Sequence, residues 1–246
     1  MKILVCITHV PDTTSKISFT EGDTKFNSAG VSYIIGPYDD YALARAIELK
    51  EAGGADVHVL NVGTIETEPS LRKALAIGAD EAFRIDVEPT DSYQVAEQIA
   101  SFAKDKGYDL ILMGRESIDF NSGSVHGMVA AMLNISFISP IMKLDVNGGM
   151  ASVYKEIEGG KEAVDIALPL VAGCQEPIAE WKIPSMRGIM SARTKPLSVV
   201  PAKTSEAMTK VQKFEMPAQK TACKLFDPTD VDGLVSTLVK VAKVIN

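Results

Sequence analysis

Four short apolar runs alternate with helical patterns over the first 135 residues. The runs, at 3–7, 57–62, 82–85 and 110–113, have the composition of strands that are buried on both faces. The intervening stretches at 38–52, 69–77 and 91–106 have helical spacing, and each is followed by glycine, a common helix stop. This alternation predicts an α/β fold with a doubly wound, mostly parallel, Rossmann-like sheet.

The pattern changes after residue 135. Alternating runs at 142–146, 151–157 and 162–167 are separated by Asn-Gly and Gly-Gly pairs, which are typical of hairpin turns. They predict an antiparallel extension at one edge of the sheet.

The C-terminal quarter has a different character. Residues 182–246 contain several prolines, many lysines and little periodicity, until helical spacing returns at 231–244. We therefore expect an α/β domain at 1–181 and, at 182–246, an arm that ends in a helix. Because that helix has little of its own chain to pack on, it is expected to lie on another subunit.

Composition narrows the class of protein. The chain of 246 residues is 46% hydrophobic and 23% charged, as in globular proteins. No run of about 18 apolar residues occurs, so no membrane span is predicted. Cys6, Cys174 and Cys223 are scattered, which argues against a disulfide framework and against the ligand spacing of zinc sites. We expect a reducing, cytoplasmic compartment.

The net charge of −7 is unevenly distributed. Residues 182–225 hold nine of the 25 lysines and arginines but two of the 32 acidic residues. A basic segment on an acidic body is expected to dock on something acidic. The segment has few aromatic residues and no nucleic-acid motif, so a protein partner is favoured over nucleic acid.

Candidate binding residues follow from the topology. Open α/β sheets bind ligands beyond the carboxyl ends of their strands, where residues 6–8, 61–63 and the loop at 114–127 are predicted to lie. The loop offers many amides and hydroxyls ahead of an apolar helix, a combination suited to phosphate. A solvated connecting loop fits its composition equally well.

Signatures of catalysis are missing from the sequence. It has no G-x-G-x-x-G, Walker or G-x-S-x-G motif, and His9, His58 and His126 are isolated from one another. His126 lies in the candidate phosphate loop, and its sequence position fits both a side chain that contacts a ligand and a side chain exposed to solvent. Cys6 fits a small buried residue better than a nucleophile. These patterns favour a nucleotide-binding protein that is not an enzyme.

A longer pattern links the chain to a known family. Residues 153–164 (VYKEIEGGKEAV), followed by Leu168 and Pro169, closely resemble the signature of electron transfer flavoprotein β subunits, although the end of the signature at 169–173 is looser. Further matching segments occur in family order along essentially the whole chain, at 2–6, 36–39, 76–80, 114–119 and 183–193.

The resemblance implies a heterodimer. In this family an α subunit holds the redox FAD, which carries electrons from acyl-CoA or related dehydrogenases to a quinone-linked acceptor. The β subunit buries AMP, and its C-terminal arm docks on the α subunit. Residues 1–181 are then the nucleotide-binding domain, and residues 182–246 are the recognition loop and the arm.

Two groups of site residues are implied by the same resemblance. The implied AMP contacts are Cys6, Gly36, Pro37, Tyr38, Asp39, Val62, Asp119, Phe120, Asn121, Ser122, Gly123, Ser124 and Val125. The implied partner-recognition residues are Ile183, Pro184, Met186, Gly188, Ile189, Met190 and Arg193. Where the family commonly has Gln-Val-Gly-Pro, this chain has Ser-Val-His-Gly at 124–127, so phosphate contacts are expected from backbone amides.

Three other functions are weighed against this one. Some family members bifurcate electrons, with a second FAD and an NADH site in the β subunit and a Gly-(Ser/Ala)-Asp-Thr loop; residues 90–92 (Thr-Asp-Ser) echo that loop in part. A stand-alone nucleotide sensor resembling universal stress proteins shares the α/β topology, but the arm and the signature argue against it. An adenylyl transferase is disfavoured because the glycine-rich pyrophosphate loop is missing.

Overall fold

The computed structural model describes residues 1–219 and 223–245. Within them the α-helices are α1 (Pro37–Gly53), α2 (Glu68–Ile77), α3 (Ser92–Ala103), α4 (Val125–Leu133), α5 (Met186–Ala192) and α6 (Val231–Thr237). The strands are β1 (Lys2–Cys6), β2 (His9–Pro11), β3 (Phe19–Thr20), β4 (Lys25–Phe26), β5 (Tyr33–Ile35), β6 (Asp56–Val62), β7 (Glu81–Asp86), β8 (Leu110–Gly114), β9 (Ser136–Asn147), β10 (Met150–Ile157), β11 (Gly160–Ala167), β12 (Leu170–Cys174) and β13 (Leu197–Pro201).

Nine of the described strands form one sheet, in the order β11-β10-β9-β12-β8-β1-β6-β7-β13. β1 lies between β8 and β6 and is parallel to both, and β7 and β13 continue the parallel half. β9, β10 and β11 form the predicted antiparallel extension at the opposite edge. The predicted doubly wound, mostly parallel α/β fold is therefore confirmed.

The central parallel strands β1, β6, β8 and β12 are buried on both faces, because apolar residues occupy most of their successive positions. Ile3 and Val5 of β1 belong to the core under α1 and α2, whereas Leu4 and Cys6 belong to the core under α3 and α4. Each fully buried large apolar side chain contributes roughly 1.5–3 kcal/mol to folding. The two cores therefore fix the strand ends at which the candidate site lies.

Two parallel strands of the sheet are not predicted by the sequence pattern. β12 is buried throughout and lies between β9 and β8. β13 pairs with β7, so residues 197–201 belong to the sheet although they fall in the segment predicted to be an arm. A proline at position 201 is tolerated there because β13 is an edge strand, where one row of backbone groups has no ladder partner.

Candidate functional site

A cavity of about 530 Å³ lies at the carboxyl ends of β1, β6 and β8. Its volume is in the range of small-molecule and cofactor sites. This is the position at which open α/β sheets bind ligands, because the loops that leave neighbouring parallel strands diverge there.

The cavity brings together residues from distant parts of the sequence. Seven of the residues predicted to contact AMP line it: Cys6, Asp39, Val62, Asp119, Phe120, Ser122 and Val125. Six others do not line it and lie in the adjoining turns: Gly36, Pro37, Tyr38, Asn121, Gly123 and Ser124. The assignment of all thirteen as AMP contacts stays a prediction.

Asp39 is the buried residue that ties three elements of the site together. Its Oδ2 accepts hydrogen bonds from the Thr8 amide (2.8 Å) and hydroxyl (2.6 Å), and its Oδ1 accepts one from the Gly114 amide (2.8 Å). Asp39 thereby connects the start of α1 to the segments at the ends of β1 and β8. Burial raises the pKa of the Asp39 carboxyl to about 6, although these hydrogen bonds oppose the rise.

Two glycines permit this close approach. A methyl group at Gly36 would lie 2.3 Å from the Thr8 hydroxyl, and one at Gly114 would lie 2.7 Å from Cβ of Tyr38. Glycine at these two positions therefore lets the start of α1 lie directly against the segments at the ends of β1 and β8.

Asn61, at the end of β6, presents a buried acceptor. Its Nδ2 donates to the carbonyl oxygen of Ile7 (2.9 Å), which fixes the amide, and the residue is 4% exposed. Among the described residues, Oδ1 of Asn61 has no hydrogen-bond partner. Leaving a buried acceptor unsatisfied costs about 1–3 kcal/mol, so a donor on a ligand in this cavity would stabilise the site.

The loop after β8 supplies small polar groups. Ser117 and Ser122 form an isolated bridge, and the hydroxyls of Ser122 and Ser92 share a hydrogen bond of 2.6 Å, so the loop is held against the start of α3. Asn121 has a φ of 49°, which turns the chain within the loop. The side chain of Ser124 does not cap α4, so the first-turn amides of α4 lack that acceptor.

The electrostatics of the cavity determine how it could hold an anion. Four carboxylates line it, from Asp39, Asp91, Glu116 and Asp119, whereas the described lining contains no lysine or arginine. A phosphate group would therefore depend on amides and hydroxyls of the loop and of the start of α4. These groups and the acceptor of Asn61 fit a nucleotide whose base carries a hydrogen-bond donor.

Burial favours the neutral forms of two titratable side chains in the cavity, Cys6 and His126. Burial, with a smaller contribution from Asp39, raises the pKa of the Cys6 thiol far above its usual range, so the thiol is not poised as a nucleophile. Burial lowers the pKa of His126, whose Nε2 lies 2.8 Å from the carbonyl oxygen of Arg115 and whose ring stacks on Phe137. His126 is thus a buried packing residue that also lines the cavity.

Glu116 and Ser117 of the candidate loop at 114–127 also line the cavity, as do residues 90–92, which echo the loop of bifurcating members. Thr209 and Val211 line it too, although no sequence pattern marks them as site residues. His9 also lines the cavity; its Nδ1 lies 2.9 Å from the Ser70 hydroxyl, and its ring stacks on Tyr33. Thr209 and Val211 are more than 80 residues from the other lining residues in sequence, so local patterns could not find them.

The segment predicted to recognise partners forms a short exposed helix, α5. Ser185 caps it by accepting a hydrogen bond from the Gly188 amide (3.0 Å). Ile183, Met186 and Met190 are 74%, 76% and 69% exposed, which is unusual for large apolar side chains. Gly188 packs α5 against α2, since a methyl group there would lie 2.2 Å from the Ala76 carbonyl oxygen.

Replacement of Gly188 by alanine is expected to lower the free energy of unfolding by about 1–3 kcal/mol, because backbone atoms of α2 and α5 must move apart. Urea titration measures the change. Gly160→Ala is the matched control, because a methyl group there meets nothing within 4 Å, and it should change stability by less than about 0.5 kcal/mol. Equal stabilities of the two variants would contradict this packing.

Comparisons with known proteins decide the family. A family model described as "Electron transfer flavoprotein domain" matches residues 23–205. The electron transfer flavoprotein subunit beta of Bacillus subtilis is 36% identical over 100% of both chains. The chain belongs to the electron transfer flavoprotein β-subunit family. The protein from Syntrophomonas wolfei with the same description is 34% identical, covering 94% of this chain and 92% of its own.

Family membership makes this chain a β subunit that functions in electron transfer, with an α subunit as its partner. Another relative is subunit CarD of a caffeyl-CoA reductase–Etf complex from Acetobacterium woodii, 29% identical over 81% of this chain and 78% of its own. Among residues 1–219 and 223–245, no helix has both the length and the hydrophobicity needed to cross a bilayer.

Proposed function

We propose that this β subunit binds AMP as a structural nucleotide and pairs with an α subunit that holds the redox FAD. The heterodimer carries electrons from acyl-CoA or related dehydrogenases to a quinone-linked acceptor. The β subunit is then a non-catalytic part of an electron carrier. The observation that carries the proposal is the cavity at the strand ends, in a chain that belongs to the electron transfer flavoprotein β-subunit family.

The residues present fit a bound AMP. Asn61 offers a buried acceptor suited to the exocyclic amine of adenine, and Cys6 and Val62 offer apolar contacts for a base. Ser122 and the loop amides offer donors for the phosphate, whereas the apolar and acidic lining offers no redox group of its own. AMP supplies no electron chemistry, so the flavin belongs to the partner subunit.

The exposed apolar residues support two separate partner surfaces. Ile183, Met186 and Met190 around α5 are suited to bind a dehydrogenase, because exposed aliphatic and methionine side chains can fill a pocket on a partner. Leu234 and Val235 of α6 are exposed at the end of the arm and are suited to dock on the α subunit.

Co-expression with the α subunit from the same source tests the pairing. Gel filtration of the purified protein is expected to give a stable complex with one copy of each subunit. A nucleotide-bound homodimer of this chain that ignores the α subunit would contradict the proposal and favour the stand-alone nucleotide sensor.

A second candidate is the β subunit of an electron-bifurcating flavoprotein, with its own FAD and an NADH site. The observation in its favour is that Thr90, Asp91 and Ser92 line the same cavity. Direct reduction of the purified heterodimer by NADH, with two FAD per heterodimer, would establish this candidate. Absence of reduction by NADH, with one FAD, would reject it.

A further inference from the structure

The C-terminal segment at 203–214, here called the strap, passes along the cavity. Thr209 and Val211 of the strap line the cavity beside residues that are more than 80 positions earlier in the sequence. Thr209 and Val211 are exposed, as are most of the strap residues, so the strap lies at the solvent-facing border of the cavity.

α3 holds the first part of the strap through buried polar side chains. Gln98, which is almost fully buried, donates from Nε2 to the Lys203 carbonyl oxygen (2.7 Å) and accepts from the Lys203 amide at Oε1 (2.9 Å). Its Nε2 also lies 3.0 Å from the Ser205 hydroxyl. These bonds pair a side-chain amide with the backbone as a neighbouring strand would.

Asp91 holds the part of the strap that borders the cavity. Its Oδ2 accepts hydrogen bonds from the amides of Met208 (2.6 Å) and Thr209 (2.8 Å). Its Oδ1 accepts from the Gln94 amide (2.8 Å) and so caps α3. These hydrogen bonds lower the pKa of Asp91, so the carboxylate is charged at neutral pH and each bond is charge-assisted.

The far end of the strap is held by the hairpin of β3 and β4. The Phe214 ring stacks on Phe19 with centroids 4.8 Å apart, and the Phe214 amide donates to the Asp23 carbonyl oxygen (2.7 Å). Phe214 does not line the cavity. The strap is thus fixed at both ends, with its cavity-lining residues in between.

We propose that the strap retains the bound nucleotide and that Asp91 is the positioning residue that keeps it closed. This inference rests on the proposed nucleotide-binding function. Segments with exposed backbone bonds and few buried apolar contacts open more readily than the core. Displacement of the strap would expose the cavity without unfolding the sheet, so the anchors of the strap set the rate at which nucleotide leaves.

The test measures release of tritium-labelled AMP from the heterodimer after addition of excess unlabelled AMP. Asp91→Asn keeps an acceptor for the α3 cap but places an NH₂ group against the Met208 and Thr209 amides, and Phe214→Ala removes the distant anchor. Both variants are expected to release AMP about tenfold faster than the wild type, with little change in melting temperature. Lys213→Gln, beside Phe214, is the matched control and should release AMP at the wild-type rate.

The outcomes separate the two proposals. Bound AMP that leaves both variants at the wild-type rate would overturn the role of the strap and leave the proposed function standing. A wild-type heterodimer that holds no AMP overturns the proposed function and this inference together. If Asp91→Asn fails to assemble, Phe214→Ala decides, because Phe214 touches neither the cavity nor the α3 cap.

Discussion

Replacement of Ile183 by aspartate is expected to slow flavin reduction by the partner dehydrogenase at least tenfold at subsaturating concentrations. Ile183 is 74% exposed, so its full burial against a partner would contribute roughly 1.5–3 kcal/mol, and each 1.4 kcal/mol is about a factor of ten in affinity. A charge at this position adds a desolvation cost. Stopped-flow reduction of the heterodimer by substrate-reduced dehydrogenase measures the effect.

Ile157→Asp is the matched control for this prediction. Ile157 is also an exposed isoleucine, but it lies at the tip of the β10–β11 hairpin, away from the predicted recognition residues. The control is expected to react at the wild-type rate, and both variants should keep their full flavin content and be reduced normally by dithionite. Equal rates for Ile183→Asp and the wild type would contradict the prediction that the surface around α5, which includes Ile183, binds the dehydrogenase.

Asp39 is expected to make stability depend on pH in an unusual direction. Its pKa is about 6 in the folded chain and 3.8 in the reference state, so the folded protein binds this proton more tightly. The stabilisation is therefore complete below pH 3.8 and is lost as the pH rises through 6. Relative to Asp39→Asn, the wild type should lose about 2 kcal/mol of unfolding free energy between pH 4 and pH 7.

Urea titrations of both proteins at a series of pH values measure this difference. Asp12→Asn is a control of opposite sign, because hydrogen bonds from Thr14 lower the pKa of the exposed Asp12 carboxyl. The wild type should gain stability relative to Asp12→Asn as the pH rises through the acid range. A difference between the wild type and Asp39→Asn that stays constant with pH would show that folding does not raise the pKa of Asp39.

The sequence predicts the central parallel strands and their helices well, because strands that are buried on both faces appear in the sequence as short apolar runs. β6 has apolar residues at four of its seven positions and is flanked by helical stretches, so its type and place follow from a short window. The loop at 114–127 is found for a similar reason, since it follows an apolar strand and leads into an apolar helix.

The remaining features depend on contacts between distant residues. β12 is an apolar run, but its insertion between β9 and β8 follows from the tertiary arrangement. Asp39 resembles an ordinary first-turn acidic residue, and its bond to the Gly114 amide spans 75 positions. Thr209 lies near the cavity because Asp91, 118 positions earlier, binds its backbone amide. No local pattern encodes such pairings.

Identification of the nucleotides in the purified heterodimer tests the central claim most directly. The complex with its α subunit is denatured, and the released nucleotides are separated by chromatography and quantified. One AMP and one FAD per heterodimer is the predicted result, with AMP assigned to the cavity at the ends of β1, β6 and β8. Two FAD and no AMP would contradict it, because the β-subunit cavity would then hold a flavin and the segment at 90–92 would become the candidate NADH site.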